Sequence, residues 1–233
     1  MLKNFLALFL ILFSAGVFGQ NTEFRLALNS GLFSFSGASA QKYSRIIVSG
    51  QANSGYTSSP YGSAGALSYG LSGNLKRVTK NNLMLGVDAG FETLRSKVKI
   101  DGIHDGAGDY ESAKGKTFLS SNFINLFPFI GRRFYREAVS FDIVGGFDIA
   151  YCLKATEKGS ASAADGTKYT TSRDRKTIST DFRPRIQFSA DYKNTGVYLG
   201  YSQGLINYRS GAVGGTNICL ASFLRFGLTY CIK

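Results

Sequence analysis

The chain has no tryptophan, one histidine, two methionines, three prolines and three cysteines. Each scarcity excludes something. With His104 as the only imidazole, a histidine-rich metal centre or a two-histidine relay cannot be built. Cys152, Cys219 and Cys231 are an odd set with no C-x-x-C spacing, so a zinc knuckle is excluded and any bridge must leave one thiol over. Three prolines in 233 residues are too few for a polyproline or proline-rich disordered chain. Acidic groups are also short: 15 against 27 Lys and Arg, a net charge of +12. Beyond residue 18 no apolar run approaches the roughly 20 residues of a spanning helix, so nothing after the leader crosses a bilayer as a helix.

The leader itself is short. Met1-Leu2-Lys3-Asn4 is a basic start, Phe5 to Phe18 is almost wholly apolar, and Val17-Phe18-Gly19 supplies small or permissive residues before Gln20. This predicts a cleaved signal peptide over 1–19 and a single domain over 20–233. No cysteine follows the cut, which argues against a lipid anchor. Removing Lys3 leaves 26 bases against 15 acids. In an exported protein that surplus points to anionic lipid head groups rather than to nucleic acid.

What the chain has in quantity is glycine (28), aromatic residues (14%) and alternation. Val139, Phe141, Ile143, Phe147, Ile149 and Tyr151 share one parity, and Ser140, Asp142, Gly146 and Asp148 the other. Strand side chains alternate faces, so the segment has one greasy and one charged face. The pattern recurs in eight stretches: 24–35, 64–77, 83–91, 117–134, 139–151, 178–188, 197–201 and 218–232. The fourth carries bulky apolar residues on both parities, and its Pro128 predicts a bulge or irregularity. The connections alternate long and short. The short ones, near Asn81, Glu137 and Asn194, have turn chemistry. The long ones cover 36–63, 96–116, 154–176 and the segment of Gly211, Gly214 and Gly215. The third, rich in Ala, Ser, Gly and Lys, has little to pack and is expected to be mobile.

Too little apolar sequence remains for a second layer over eight such strands. The economical arrangement is an all-β, eight-stranded antiparallel transmembrane β-barrel with its greasy face in lipid. The inward parity then collects Arg25, Asp88, Glu92, Asp142, Asp148, Asp181, Arg183, Arg185 and Arg225, with Lys76 and Asp191. That is five bases against six acids, which predicts an interlocked ion network filling a narrow interior. A proton or ion path through the same groups would favour one sign. By parity Cys152 and Cys219 face inward near one rim on strands that are not neighbours, so bridging geometry is doubtful.

No residue set predicts catalysis. His104 lies between glycines in Asp101-Gly102-Ile103-His104-Asp105-Gly106, a poor frame for a base. Asp101, Asp105 and Asp109 are spaced by four, not by the two of a calcium loop, so no metal or other cofactor is expected. Lys154, Lys158, Arg173, Arg175 and Lys176 border the third long connection and are the candidate contacts for lipopolysaccharide phosphates.

A signal peptide, eight amphipathic strands and loops of alternating length resemble the small outer-membrane β-barrel proteins of Gram-negative bacteria. The pattern is most similar to the porin-family "outer membrane protein β-barrel domain" group. The closing Gly227-Leu228-Thr229-Tyr230-Cys231-Ile232 resembles the terminal strand that the barrel-assembly machinery reads, though Ile232-Lys233 stands where an aromatic residue usually ends it. The resemblance implies a monomeric, non-enzymatic barrel in outer-membrane lipid, presenting surface loops for envelope structure, adhesion or interaction. A narrow solute channel and a subunit of a secretion or envelope-assembly machine are the alternatives. With no tryptophan, Tyr and Phe must supply the interfacial girdles.

Overall fold

The computed structural model describes residues 21–48, 53–104, 110–210 and 217–232; the expected leader, Asp105, Asp109 and the glycines 211, 214 and 215 lie outside these. Among the described residues there are eleven strands where the sequence predicts eight: β1 (Asn21–Ser36), β2 (Tyr43–Val48), β3 (Ser54–Thr57), β4 (Ala64–Val78), β5 (Leu83–His104), β6 (Tyr110–Arg136), β7 (Val139–Ala163), β8 (Lys168–Asp174), β9 (Thr180–Tyr192), β10 (Thr195–Gln203) and β11 (Leu220–Cys231).

The pairings close two circuits. One runs β1–β4–β5–β6–β7–β9–β10–β11 and returns to β1, antiparallel at every step. The other runs β5–β6–β7–β8–β3–β2 and returns to β5, through two parallel contacts, β3–β8 and β2–β5. Three strands belong to both: β5, β6 and β7, of 22, 27 and 25 residues. At about 3.3 Å per residue these run roughly 70–90 Å, far more than a 30 Å hydrocarbon layer requires. Their upper halves and β2, β3 and β8 make a crown on the eight-strand ring. The segments 96–116 and 154–176, expected as loops, are therefore largely strand. So is the Tyr43–Val48 run within the first long connection.

The short turns agree with expectation. Asn82, Glu137 and Lys193 take left-handed backbone (φ 62, 54 and 53°) at the β4–β5, β6–β7 and β9–β10 connections, all at the end opposite the crown. Face assignment also follows parity. Leu26, Leu28, Leu71, Phe91, Ile143, Ile149, Leu199, Leu224 and Leu228 are exposed on the outside of the ring, Leu28 at 63%. Their neighbours Arg25, Asp88, Glu92, Asp148 and Arg225 are buried inside.

Pro128 causes no slip. The β6–β7 register is the same on either side of it (Leu126↔Ile149, Phe129↔Gly146), because a missing N–H removes one bond without changing the strand repeat. The irregularity lies instead between Asn122 and Phe123, where β7 inserts Leu153. That bulge exchanges the faces of β7: Tyr151 and Leu153 point out below it, Lys154 and Lys158 above it, and Glu157 turns inward.

The ring interior is packed in layers. Val78, Met84, Phe127, Phe129 and Val144 cluster toward the turn end. Toward the crown, Phe33, Phe35, Leu119, Phe123, Tyr208 and Phe223 form a plug with Cys219, and Cys152 packs against it. Edge-to-face rings fix this plug: Phe35 lies 5.1 Å from Phe33, 5.1 Å from Tyr61 and 4.8 Å from Tyr208. The fourth predicted strand has bulky residues on both parities because its inner face feeds both clusters. All three cysteines are free thiols. Inside the crown, Ile46, Val48, Ile100, Ile103, Ala113 and Ala161 form a third cluster.

Candidate functional site

Two layers of ion pairs cross the ring, one at the turn end beside the first of these clusters and one between it and the plug. In the layer nearer the turns, Lys76 lies 2.6 Å from Asp142, and 3.5 Å from both Asp191 and Glu23. Arg25 reaches Asp191 at 2.6 Å and Glu23 at 3.0 Å. Arg133 donates to both oxygens of Asp142, at 2.7 and 2.9 Å, and also bonds Glu23. Glu23 and Arg133 are absent from the sequence-derived network. Glu23 falls one residue before the first expected strand, and Arg133 lies on the strand whose parities both look apolar.

In the second layer Arg225 grips Glu92 with two donors, at 2.9 and 3.0 Å, and Asp148 with a third bond at 3.0 Å. Arg185 donates to Asp148 at 3.2 Å. Arg183, fully buried, lies 3.6 Å from Glu92, 3.8 Å from Asp148 and 3.9 Å from Asp181, with Tyr208 donating to Asp181 at 2.8 Å. Aromatic faces cover the three guanidiniums: Phe127 is 4.1 Å from Arg185, Phe223 4.4 Å from Arg225 and Phe123 5.6 Å from Arg183. Between the layers is a cavity of about 30 Å³, water-sized, bordered by Asp88, Asn74 and Gln187. Of the predicted inward residues, the structure thus brings all but Asp88 into ion pairs; Asp88 is buried beside them. The inward acids are Glu23, Asp88, Glu92, Asp142, Asp148, Asp181 and Asp191, and the bases Arg25, Lys76, Arg133, Arg183, Arg185 and Arg225. Seven against six is close to neutral, so the basic surplus of the chain lies outside this interior.

A separate buried carboxylate holds the crown. Glu157 accepts from the Thr57 backbone N–H at 2.7 Å, the Thr57 hydroxyl at 2.6 Å and the Thr171 hydroxyl, while Arg175 donates to its other oxygen at 2.5 Å. It ties β3, β7 and β8 together. The Leu153 bulge that turns Glu157 inward defeats a period-2 reading of this strand.

The candidate lipopolysaccharide contacts divide. Lys154, Lys158, Arg173 and Lys176 are exposed, whereas Arg175 is half-buried against Glu157. Lys154 pairs with Asp174 at 3.0 Å, and that bond holds the Asp174 carboxyl below its ordinary range. Arg173 stands 5.2 Å over the Tyr56 ring. His104 closes β5 opposite Tyr110, in a strand rather than a loop. Among the described residues no group of His, Cys, Asp and Glu side chains could hold a metal ion.

No protein-family model matches the chain, and no curated protein matches it significantly. Among solved structures it is similar to Ail, the attachment invasion locus protein of Yersinia pestis, in complex with the heparin analogue sucrose octasulfate. The identity is 12%, over 91% of this chain and 99% of that one, with a TM-score of 0.36. It is also similar to Neisserial surface protein A: 10% identity over 90% of this chain and 98% of that one, TM-score 0.36.

Proposed function

We propose that the chain is an exported, monomeric, non-enzymatic outer-membrane protein: an eight-stranded transmembrane β-barrel that carries a strand-built crown to the cell surface for envelope structure, adhesion or interaction. The observation that carries this reading is the closed antiparallel circuit of eight strands, greasy outside and ion-paired inside. Closure removes every sheet edge, which hydrocarbon requires, and the charges sit where lipid cannot reach them. Residues 1–19 serve as the cleaved leader, and the closing strand as the signal to the assembly machinery. Surface display suits a crown braced by Glu157, because a pre-ordered surface loses less entropy on binding than a loop does. The exposed Lys154, Lys158, Arg173 and Lys176 are available to lipopolysaccharide phosphates.

The channel reading fits less well. Two ion layers and an aromatic plug occupy the lumen, and the cavity between them is water-sized. The test is purification from membranes in mild detergent. The unboiled protein should migrate differently from the boiled one, and its circular dichroism should be strand-dominated. Planar bilayers containing it should carry little steady current. A helix-rich spectrum or recovery with soluble periplasmic proteins would overturn the barrel, and a large stable conductance would favour the channel.

Orientation has its own expected result. In a version with the native cysteines replaced by serine, a membrane-impermeant thiol reagent should label a cysteine placed at Ala164, in the exposed β7–β8 turn, on intact cells. It should miss one placed at Asn194 until the outer membrane is opened. The reverse pattern would invert the topology.

A further inference from the structure

The outer wall of β4–β7 changes character within two residues. Leu71, Phe91, Ile124 and Tyr151 lie in register across the four strands and form the last fully apolar row. The next row is Tyr69, Thr93, Asn122 and Lys154. Above it come Arg95, Ser120 and Thr156, then Lys97, Phe118 and Lys158. A groove of about 320 Å³ opens in these rows, between Tyr69 on one side and Lys158 on the other. The groove is polar but for its Tyr69 and Phe118 walls. Arg95 stands 4.7 Å over the Phe118 ring and Lys116 5.8 Å over the same ring.

These cations differ from those of the lumen. Every lumenal base ion-pairs with a carboxylate, whereas among the described residues Arg95, Lys97, Lys116 and Lys158 form no ion pair. Two like charges over one ring, with Lys97 and Lys158 beside it in register, repel, and an anion accepting from two of them offsets that repulsion. The Ser120 hydroxyl and the Asn122 amide N–H add neutral donors, while Thr93 donates to Asn122 at 3.0 Å and Thr156 to Asp174 at 3.1 Å. Height above the apolar row then selects the anion. Two residues advance about 7 Å along a strand, or about 5 Å along the barrel axis at a tilt of roughly 35–45°, which is head-group depth at the edge of the hydrocarbon layer. A lipid bound there has its chains against Leu71, Phe91 and Ile124.

We propose that this groove binds the phosphate of a phosphorylated glycolipid of the outer leaflet, with Arg95 and Lys158 contacting the phosphate oxygens. The proposal rests on the reading that the β4–β7 wall faces lipid; of the earlier candidate contacts it keeps Lys158 on β7 and adds Arg95 on β5. The test uses full-length protein in detergent. Titration with lipid A should show binding, and lipid A stripped of its phosphates should bind about tenfold or more weaker, a difference of one charge-assisted contact or more. The double variant Arg95→Ser/Lys158→Ser should lose that preference and bind both lipids alike. Arg95→Lys/Lys158→Arg should retain it, and Lys168→Ala should change nothing. Inorganic phosphate should fail to compete at lipid concentrations; equal competition would overturn the lipid assignment. Unchanged phosphate preference in the double variant would overturn the groove. Gel mobility before and after boiling is read on every variant. A heat-modifiable barrel with unchanged binding removes only the groove, whereas loss of heat modifiability in the unaltered protein removes the underlying reading.

Discussion

Arg225→Ala should lower the unfolding free energy of the refolded protein in lipid vesicles by about 3–5 kcal/mol, the usual cost of removing one partner from a buried ion pair. Arg225 is fully buried and supplies three bonds, two to Glu92 and one to Asp148. Its loss does not affect the two acids equally. Asp148 keeps Arg185 at 3.2 Å, while Glu92 is left with Arg183 at 3.6 Å, beyond good hydrogen-bond geometry. Most of the penalty should therefore sit on Glu92. The double variant Arg225→Met/Glu92→Gln should recover over half of the loss, because it removes the stranded charge. Lys168→Ala, on exposed β8, should stay within about 0.5 kcal/mol of the parent. Denaturant titrations of the four proteins check this. An Arg225→Ala protein as stable as its parent would mean that water, not protein, compensates Glu92.

The lower half of the molecule was legible because an apolar outer face and a narrow ion-paired interior make opposite demands on successive residues. Leu26 lies on the exposed outer face and Arg25 in a buried ion pair, and one period-2 reading places both. The same logic failed where the two sides of a strand stop differing. On β6, Phe123 and Phe127 point into the lumen while Ile124 and Leu126 point out, so Arg133 was hidden among apolar parities. On the upper part of β7 neither face carries a large apolar side chain. Ser160, Ala161, Ser162 and Ala163 look like a loop, yet they pair with Ala113–Lys116 on β6. Their inward alanines fit an interior only wide enough for small side chains and for Ile46, Ile100 and Ile103 from other strands. What orders this segment is pairing with β8 and the bonds of Glu157 to β3, contacts between residues as many as 100 positions apart. No local pattern announces them, and the Leu153 bulge that aims Glu157 at them is equally silent.

Deleting 230–233 should abolish stable insertion, whereas deleting 160–167 should not. The contrast follows from which circuit each cut opens. Tyr230 pairs with Leu26 on β1 and with Thr195 on β10. The next two residues continue the seam: Cys231 N–H donates to Asn194 C=O at 2.7 Å, and Ile232 N–H to Phe24 C=O at 2.9 Å. Losing them frees backbone groups of β1 and of the β9–β10 connection at the rim and unzips the end of the β1–β11 seam, whose closure a hydrocarbon setting requires. It also removes Tyr230 and Ile232 from the outer face and truncates the strand offered for assembly. The expected result is degraded or periplasmic protein with no heat-modifiable band. Tyr230→Asp should impair assembly in the same direction, because it sets a charge in the aromatic girdle while leaving the pairing intact. The 160–167 cut instead removes the top of β7, its pairing with β6 and β8, and the turn whose Ala163 N–H bonds Thr167 C=O. The eight-strand circuit does not use these residues. That protein should insert and shift on boiling, but its Lys- and Arg-rich crown should be cut by trypsin on intact cells much faster than the parent's. An end-deleted chain that still inserted, or a crown-deleted chain that did not, would show that the seam between β1 and β11 does not close the membrane-spanning part.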